Sequence, residues 1–190
     1  AEAGEYTLDS PFILGTLARV QIMCGRLADA ARTIEEARAD PYGDASVVLY
    51  FPVRMAEIEL ALREEDFDRA ARAADDFIGR LRQYGIRSQL PEALYLEAQA
   101  LLGLGREAGA LESLLEARAE AEAMGARRIL WRILDALSRL EGDPTRAAGL
   151  RQEARQVIRT IVAHIDQDDL RASFLSLPEV RAALRPLETE

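Results

Sequence analysis

Apolar residues recur along this chain at the three- and four-residue spacing of a helix stripe, and Leu130, Ile133, Leu134, Leu137 and Leu140 are the clearest run. No stretch alternates apolar and polar positions with period two over a useful length, so no sheet is expected. The periodicity predicts helices over 11–24, 27–39, 45–64, 66–83, 91–104, 107–124, 126–140 and 144–165. Pro52 falls inside the third: it either kinks that helix or marks its true start after an irregular 45–51. Residues 166–190 break the pattern. Asp168 or Asp169 is placed to cap a short helix through Leu170, Phe174 and Leu175, and Pro178 to open a last one through Val180 and Leu184.

The helices follow an internal repeat. Gly25-Arg26-Leu27-Ala28-Asp29-Ala30, Glu65-Asp66-Phe67-Asp68-Arg69-Ala70 and Gly105-Arg106-Glu107-Ala108-Gly109-Ala110 each close one helical segment and open another, with the final alanines 40 residues apart. Gly142-Asp143-Pro144-Thr145-Arg146-Ala147 is a fourth copy, 37 residues on. Such a pattern describes helical hairpins: a tight turn reverses the chain and a small Ala lets the second helix approach the first. Pro11 and Pro91 hold equivalent positions, with Pro52 one residue later, as suits a first helical turn. Ser10 and Asp143 are the expected N-caps, and Gly85 and Gly125 the expected left-handed caps after second helices. Hairpins thus fill 1–165 as a single domain, and 166–190 has the length and amphipathicity to cover the last apolar face.

Composition narrows the chemistry. The chain has 190 residues and a formal charge of −9, consistent with one domain or one repeat array. Its 24 basic residues are all Arg; without Lys there is neither a Walker-A phosphate loop nor a Schiff-base lysine. Asn is absent too, which removes N-glycosylation. One Cys (Cys24) and one His (His164) allow no internal disulfide and no His-based zinc site. A non-catalytic protein without cofactor or metal is expected. The acidic balance argues against nucleic acid and anionic membranes as partners, and no apolar run approaches the roughly 18–20 residues of a membrane span. A lone thiol and no signal peptide lead us to expect a cytoplasmic protein. A start at Ala1 rather than Met reads as a piece of something longer.

The turn, Ala and Pro positions resemble the tetratricopeptide repeat, at a longer period than its usual one of about 34 residues. Leu90-Pro91-Glu92-Ala93-Leu94-Tyr95-Leu96, Leu101-Leu102-Gly103-Leu104-Gly105-Arg106, Gly125-Ala126-Arg127-Arg128-Ile129-Leu130-Trp131 and Leu170-Arg171-Ala172-Ser173-Phe174-Leu175-Ser176-Leu177-Pro178-Glu179-Val180 carry a closer likeness. They resemble the C-terminal arrays of bacterial signalling ATPases. These include LuxR-type activators related to the maltose-regulon activator, and AAA-ATPases fused to adenylate/guanylate cyclase or kinase domains. The resemblance implies an all-α, right-handed tetratricopeptide-like solenoid with C-terminal capping helices. It also implies a regulatory arm in signal transduction or transcription regulation that binds a protein, a peptide or a small-molecule inducer in its concave groove. First helices line that groove in the repeat family, which points to Arg19, Met23, Met55, Glu59, Tyr95, Gln99, Arg132 and Arg139; the plainer alternative is that these solvate or pack the inner face.

Other features divide between functional and structural readings. Residues 1–126 hold 13 Arg and 23 acids, while 127–160 hold 8 Arg and 4 acids. Arg151, Arg155 and Arg159 form one helical stripe there, either docking an acidic or phosphate-bearing ligand or pairing with neighbours such as Glu153. His164 near Asp166, Asp168 and Asp169 lacks the Gly and the Glu of a calcium loop, so capping explains the aspartates better. Trp131 reads as core, Cys24 as a buried inert thiol, and Glu64 and Glu65 as turn residues without a pocket. The alternative function is a stand-alone scaffold that self-assembles, as a homodimer through exposed solenoid ends, and it requires an apolar end face at Phe12, Ile13 and Leu17.

Overall fold

The structure, a computed structural model, describes residues 11–39 and 47–185. Ser10, a predicted N-cap, lies outside them. The described residues form α1 (Pro11–Met23), α2 (Leu27–Arg38), α3 (Val47–Arg63), α4 (Phe67–Gln83), α5 (Leu90–Gly103), α6 (Glu107–Met124), α7 (Arg127–Leu140), α8 (Pro144–Ala163), α9 (Asp168–Ser176) and α10 (Pro178–Leu184), with no strand among them. The protein is all-α, and its helices pack in chain order. Two compact units are distinguished, Ala1–Ala110 and Leu111–Glu190, with the division inside α6.

The helix ends explain the period. Five turns place one residue in the left-handed region: Gly25, Gly85, Gly105 and Gly125 at φ 64–75°, and Glu65 at φ 58°. At each, the next N–H reaches back five residues to a carbonyl of the last helical turn: Arg26 to Gln21, Asp66 to Ala61, Ile86 to Leu81, Arg106 to Leu101 and Ala126 to Ala121, at 2.8–2.9 Å. The left-handed residue's own N–H bonds three residues back, completing a Schellman motif that satisfies otherwise orphaned carbonyls. The fourth copy of the repeat differs. Pro144 forces the residue before it towards extended backbone, so Asp143 sits at ψ 119° and Gly142 is not left-handed. There Asp143 caps α8 by accepting from Arg146 N at 2.9 Å, and Glu141 Oε1 accepts from Asp143 N at 3.0 Å. The repeat alanines Ala30, Ala70, Ala110 and Ala147 are all buried.

In the first unit α1 packs on α2 and α3, and α3 also meets α4 and α5. Leu14, Ala18 and Ile22 of α1 join Ile34 and Ala37 of α2 and Tyr50, Val53 and Leu60 of α3 in one core, where the Tyr50 hydroxyl donates to the Ala37 carbonyl. Pro52 lies inside α3, which starts at least at Val47, so it does not open the helix. The carbonyl that loses its donor belongs to exposed Val48, within reach of water. Pro52 also marks the closest approach of α1: a Cβ on Gly15 would sit 2.4 Å from Val53 N and 2.6 Å from Pro52 C. Only a residue without a side chain allows that crossing.

The second unit centres on Trp131 and Leu134 of α7, Ala154 and Ile158 of α8, and Val180 and Ala183 of α10. Phe174, Leu175 and Leu177 add partly buried cover, so α9 and α10 close the apolar face of α7 and α8. Arg155 fastens this closure, with Nε donating to the Ala183 carbonyl at 3.1 Å and Nη2 to that of Arg185. The expected aspartate cap of α9 is not formed. Gln167 is the N-cap, and Asp168 and Asp169 lie in the first turn, where their charge meets the positive end of the helix dipole.

Two substitutions test these backbone constraints. Gly15→Ala is expected to lower stability by about 1–3 kcal/mol, since backbone rather than a flexible side chain must yield, measured by urea denaturation. Glu65→Gly is expected to raise it by roughly 0.5–1 kcal/mol by relieving left-handed strain, read as an increased Tm with unchanged helicity.

Candidate functional site

The first helices of the three hairpins in the first unit bring Arg19, Glu59 and Glu92 together. Arg19 forks onto Glu59, with Nε 3.1 and 3.0 Å from its two oxygens and Nη2 2.6 Å from Oε1; the same Nη2 donates to Glu92 Oε1 at 2.7 Å. The Arg19 side chain is a quarter exposed and that of Glu92 nearly enclosed. Burial works against the guanidinium charge, but hydrogen bonding and Coulombic attraction to Glu59, and then to Glu92, outweigh it and raise its pKa. A raised pKa means that on the alkaline side this stabilisation is lost only above the ordinary guanidinium range. The triad therefore joins α1, α3 and α5 and is internally satisfied.

The other predicted groove residues separate. Met23 ends α1 and is 77 % exposed. Met55 is corrected: α3 packs against α1, α2, α4 and α5, leaving Met55 fully buried as a core residue rather than an exposed contact. Tyr95 and Gln99 are half-buried on α5. Arg132 and Arg139 belong to the second unit. Arg132 reaches Glu179 of α10 at 2.9 Å with its guanidinium 5.2 Å from the centre of the buried Trp131 ring, and Arg139 pairs with Asp135 one turn back. Glu92 was missed by sequence reasoning; its place in the first turn of α5, beside Pro91, carries no signal of burial.

The remaining candidates resolve structurally. Cys24 is exposed, not buried, because it lies just past the end of α1 where the chain turns outward. In the basic stripe Arg155 holds the end of α10, while Glu153 pairs with Arg118 of α6 at 2.8 Å rather than with the stripe. His164 Nδ1 lies 2.7 Å from the Thr160 carbonyl, and Asp168 pairs with Arg171. Among the described residues no group of three or more His, Cys, Asp or Glu is placed to hold a metal ion, and no helix is long and apolar enough to cross a membrane.

A different surface stands out. Phe12, Ile13, Leu17, Val20 and Met23 are exposed along α1, and Val48 and Leu49 are exposed on α3. Ile13 and Val20 are 49 % and 46 % exposed, whereas their repeat equivalents Val53, Leu60, Ala93 and Ala100 are buried. In the later hairpins the preceding second helix packs against the first, α2 against α3 and α4 against α5. No protein-family model matches the chain, and no curated protein or solved structure matches it. The tetratricopeptide resemblance rests on the repeat residues themselves.

Removing the shared cation tests the triad. Arg19→Ala is expected to cost about 2 kcal/mol because it removes the cation shared by Glu59 and the enclosed Glu92, below the 3–5 kcal/mol of a fully buried pair because the site is partly solvated. Arg32→Ala, at an exposed pair with Asp29, is expected to cost less than about 1 kcal/mol by the same denaturation measurement.

Proposed function

We propose that this protein is a non-catalytic interaction module that docks a partner helix along α1. The carrying observation is the line Phe12, Ile13, Leu17, Val20 and Met23, an apolar stripe in which the repeat equivalents of Ile13 and Val20 are buried in the next two hairpins. The repeat supplies the template: the partner packs on α1 as α2 packs on α3. The resemblance to C-terminal arrays of bacterial signalling ATPases supports reading such docking as the work of a regulatory arm. A protein contact or inducer there acts by favouring one arrangement of the helices over another.

A second reading, self-assembly as a scaffold, is favoured by the same stripe, because Phe12, Ile13 and Leu17 are the positions a self-associating end face requires. Sedimentation velocity over a concentration series separates the two. A wild-type chain that dimerises, with Ile13→Glu/Val20→Glu monomeric and equally helical, establishes self-assembly. A monomeric wild type whose partner capture is lost in the double variant establishes docking of another protein. Capture unchanged by the double variant refutes the α1 surface.

A further inference from the structure

The last two helices owe their place to few side chains. α9 buries none, and α10 buries Val180 and Ala183. Phe174, Leu175 and Leu177 are only partly buried against the same core, and Leu170 is 54 % exposed. At nine and seven residues, both helices are shorter than the roughly 12–15 residues at which an isolated helix becomes even marginal in water. Neither therefore persists once undocked. Beneath them lie Trp131, the one tryptophan of the chain, with Leu134 and Ile158. The helices that carry these residues, α7 and α8, are 14 and 20 residues long and pack on each other directly.

Three arginines supply the polar hold. Arg155 of α8 donates to the Ala183 and Arg185 carbonyls, at the end of α10, where a helix has no donors of its own. Arg132 of α7 reaches Glu179 at 2.9 Å beside the Trp131 ring, but both partners are partly exposed and water competes for them. At the other end, Arg171 Nη2 donates to the Ile165 carbonyl at 2.6 Å and Nη1 to Asp168 at 2.6 Å. The connection 164–167 lies at the surface, with His164, Asp166 and Gln167 exposed, so it can pivot without uncovering core. One side chain, Arg155, thus latches the far end of the segment, and the near end is a surface hinge.

We propose that 168–185 is a lid that leaves the core as one unit, uncovering Trp131, Leu134 and Ile158 while α7 and α8 stay folded. Release returns backbone and side-chain freedom to every residue of the segment, which offsets the loss of its two buried anchors. Closed, this end of the second unit hides its tryptophan; open, it presents an apolar face. Anything that favours the open form shifts the balance between the two. A lid differs from a fraying terminus, which loosens α10 first and leaves α9 in place. The assignment is independent of the α1 stripe, and its failure leaves that reading untouched.

Native-state hydrogen exchange of the full chain, followed by NMR at the amides and at the Trp131 indole N–H, tests this. The amides of α9 and α10 are expected to share one protection factor, well below those of α7 and α8, with the indole exchanging in step with the lid. Arg155→Ala is expected to speed exchange in α9 and α10 alike by about tenfold or more, although Arg155 bonds only the end of α10, and to leave α7 unchanged. Val180→Ala lies within the lid and is expected to act in the same way by about tenfold; it decides the matter if Arg155→Ala does not fold. Three results would overturn the assignment. They are acceleration confined to α10, acceleration of α7 and α8 equal to that of the lid, and an indole that does not follow the lid amides.

Discussion

A helix that gives way to the next through a short turn can place one residue left-handed while its last carbonyls still find donors. Here that condition is met at Gly25, Glu65, Gly85, Gly105 and Gly125, at multiples of 20 residues. Helix length, the phase of the apolar stripe and the burial of Ala30, Ala70 and Ala110 all follow from that spacing. Moving one turn by a residue would rotate every side chain after it by about 100° around its helix. The left-handed backbone is held even where the residue is glutamate, which shows that the turn geometry outweighs the local preference of Glu65.

Much of this architecture was legible in the sequence because helix ends are written in single residues. Glycine after a periodic run, proline in a first turn and aspartate ahead of Pro144 locate the boundaries to within a few residues. Glu65 was readable only through alignment with Gly25 and Gly105. Burial around each helix was less legible. Repeat phase assigns a residue to a face, but how far that face is open depends on the neighbours, and α3 has neighbours enough to enclose Met55. Cys24 was misjudged in the opposite sense, since a position just past the helix end no longer follows the helical stripe.

Of the candidate site, pairing across 40 residues was visible only in outline. Arg19 and Glu59 share a repeat position, so their proximity follows from the period, but Glu92 enters from a different position in its helix. A difference between copies was also present in the sequence: the slots of Ala31 and Glu35 in α2 hold Leu111 and Leu115 in α6, 80 residues on, and both leucines are exposed.

Packing between helices adjacent in the chain has a kinetic consequence. Loops of a few residues join partners that touch, so little chain entropy is lost before contacts begin to form, and folding in the microsecond-to-millisecond range of low-contact-order helical proteins follows. Amide exchange should be slower in α3, whose backbone is enclosed by four helices, than along the open side of α1. The most slowly exchanging amides then lie around Val53, Ala56 and Ile58, making the middle of α3 the last part of the first unit to open.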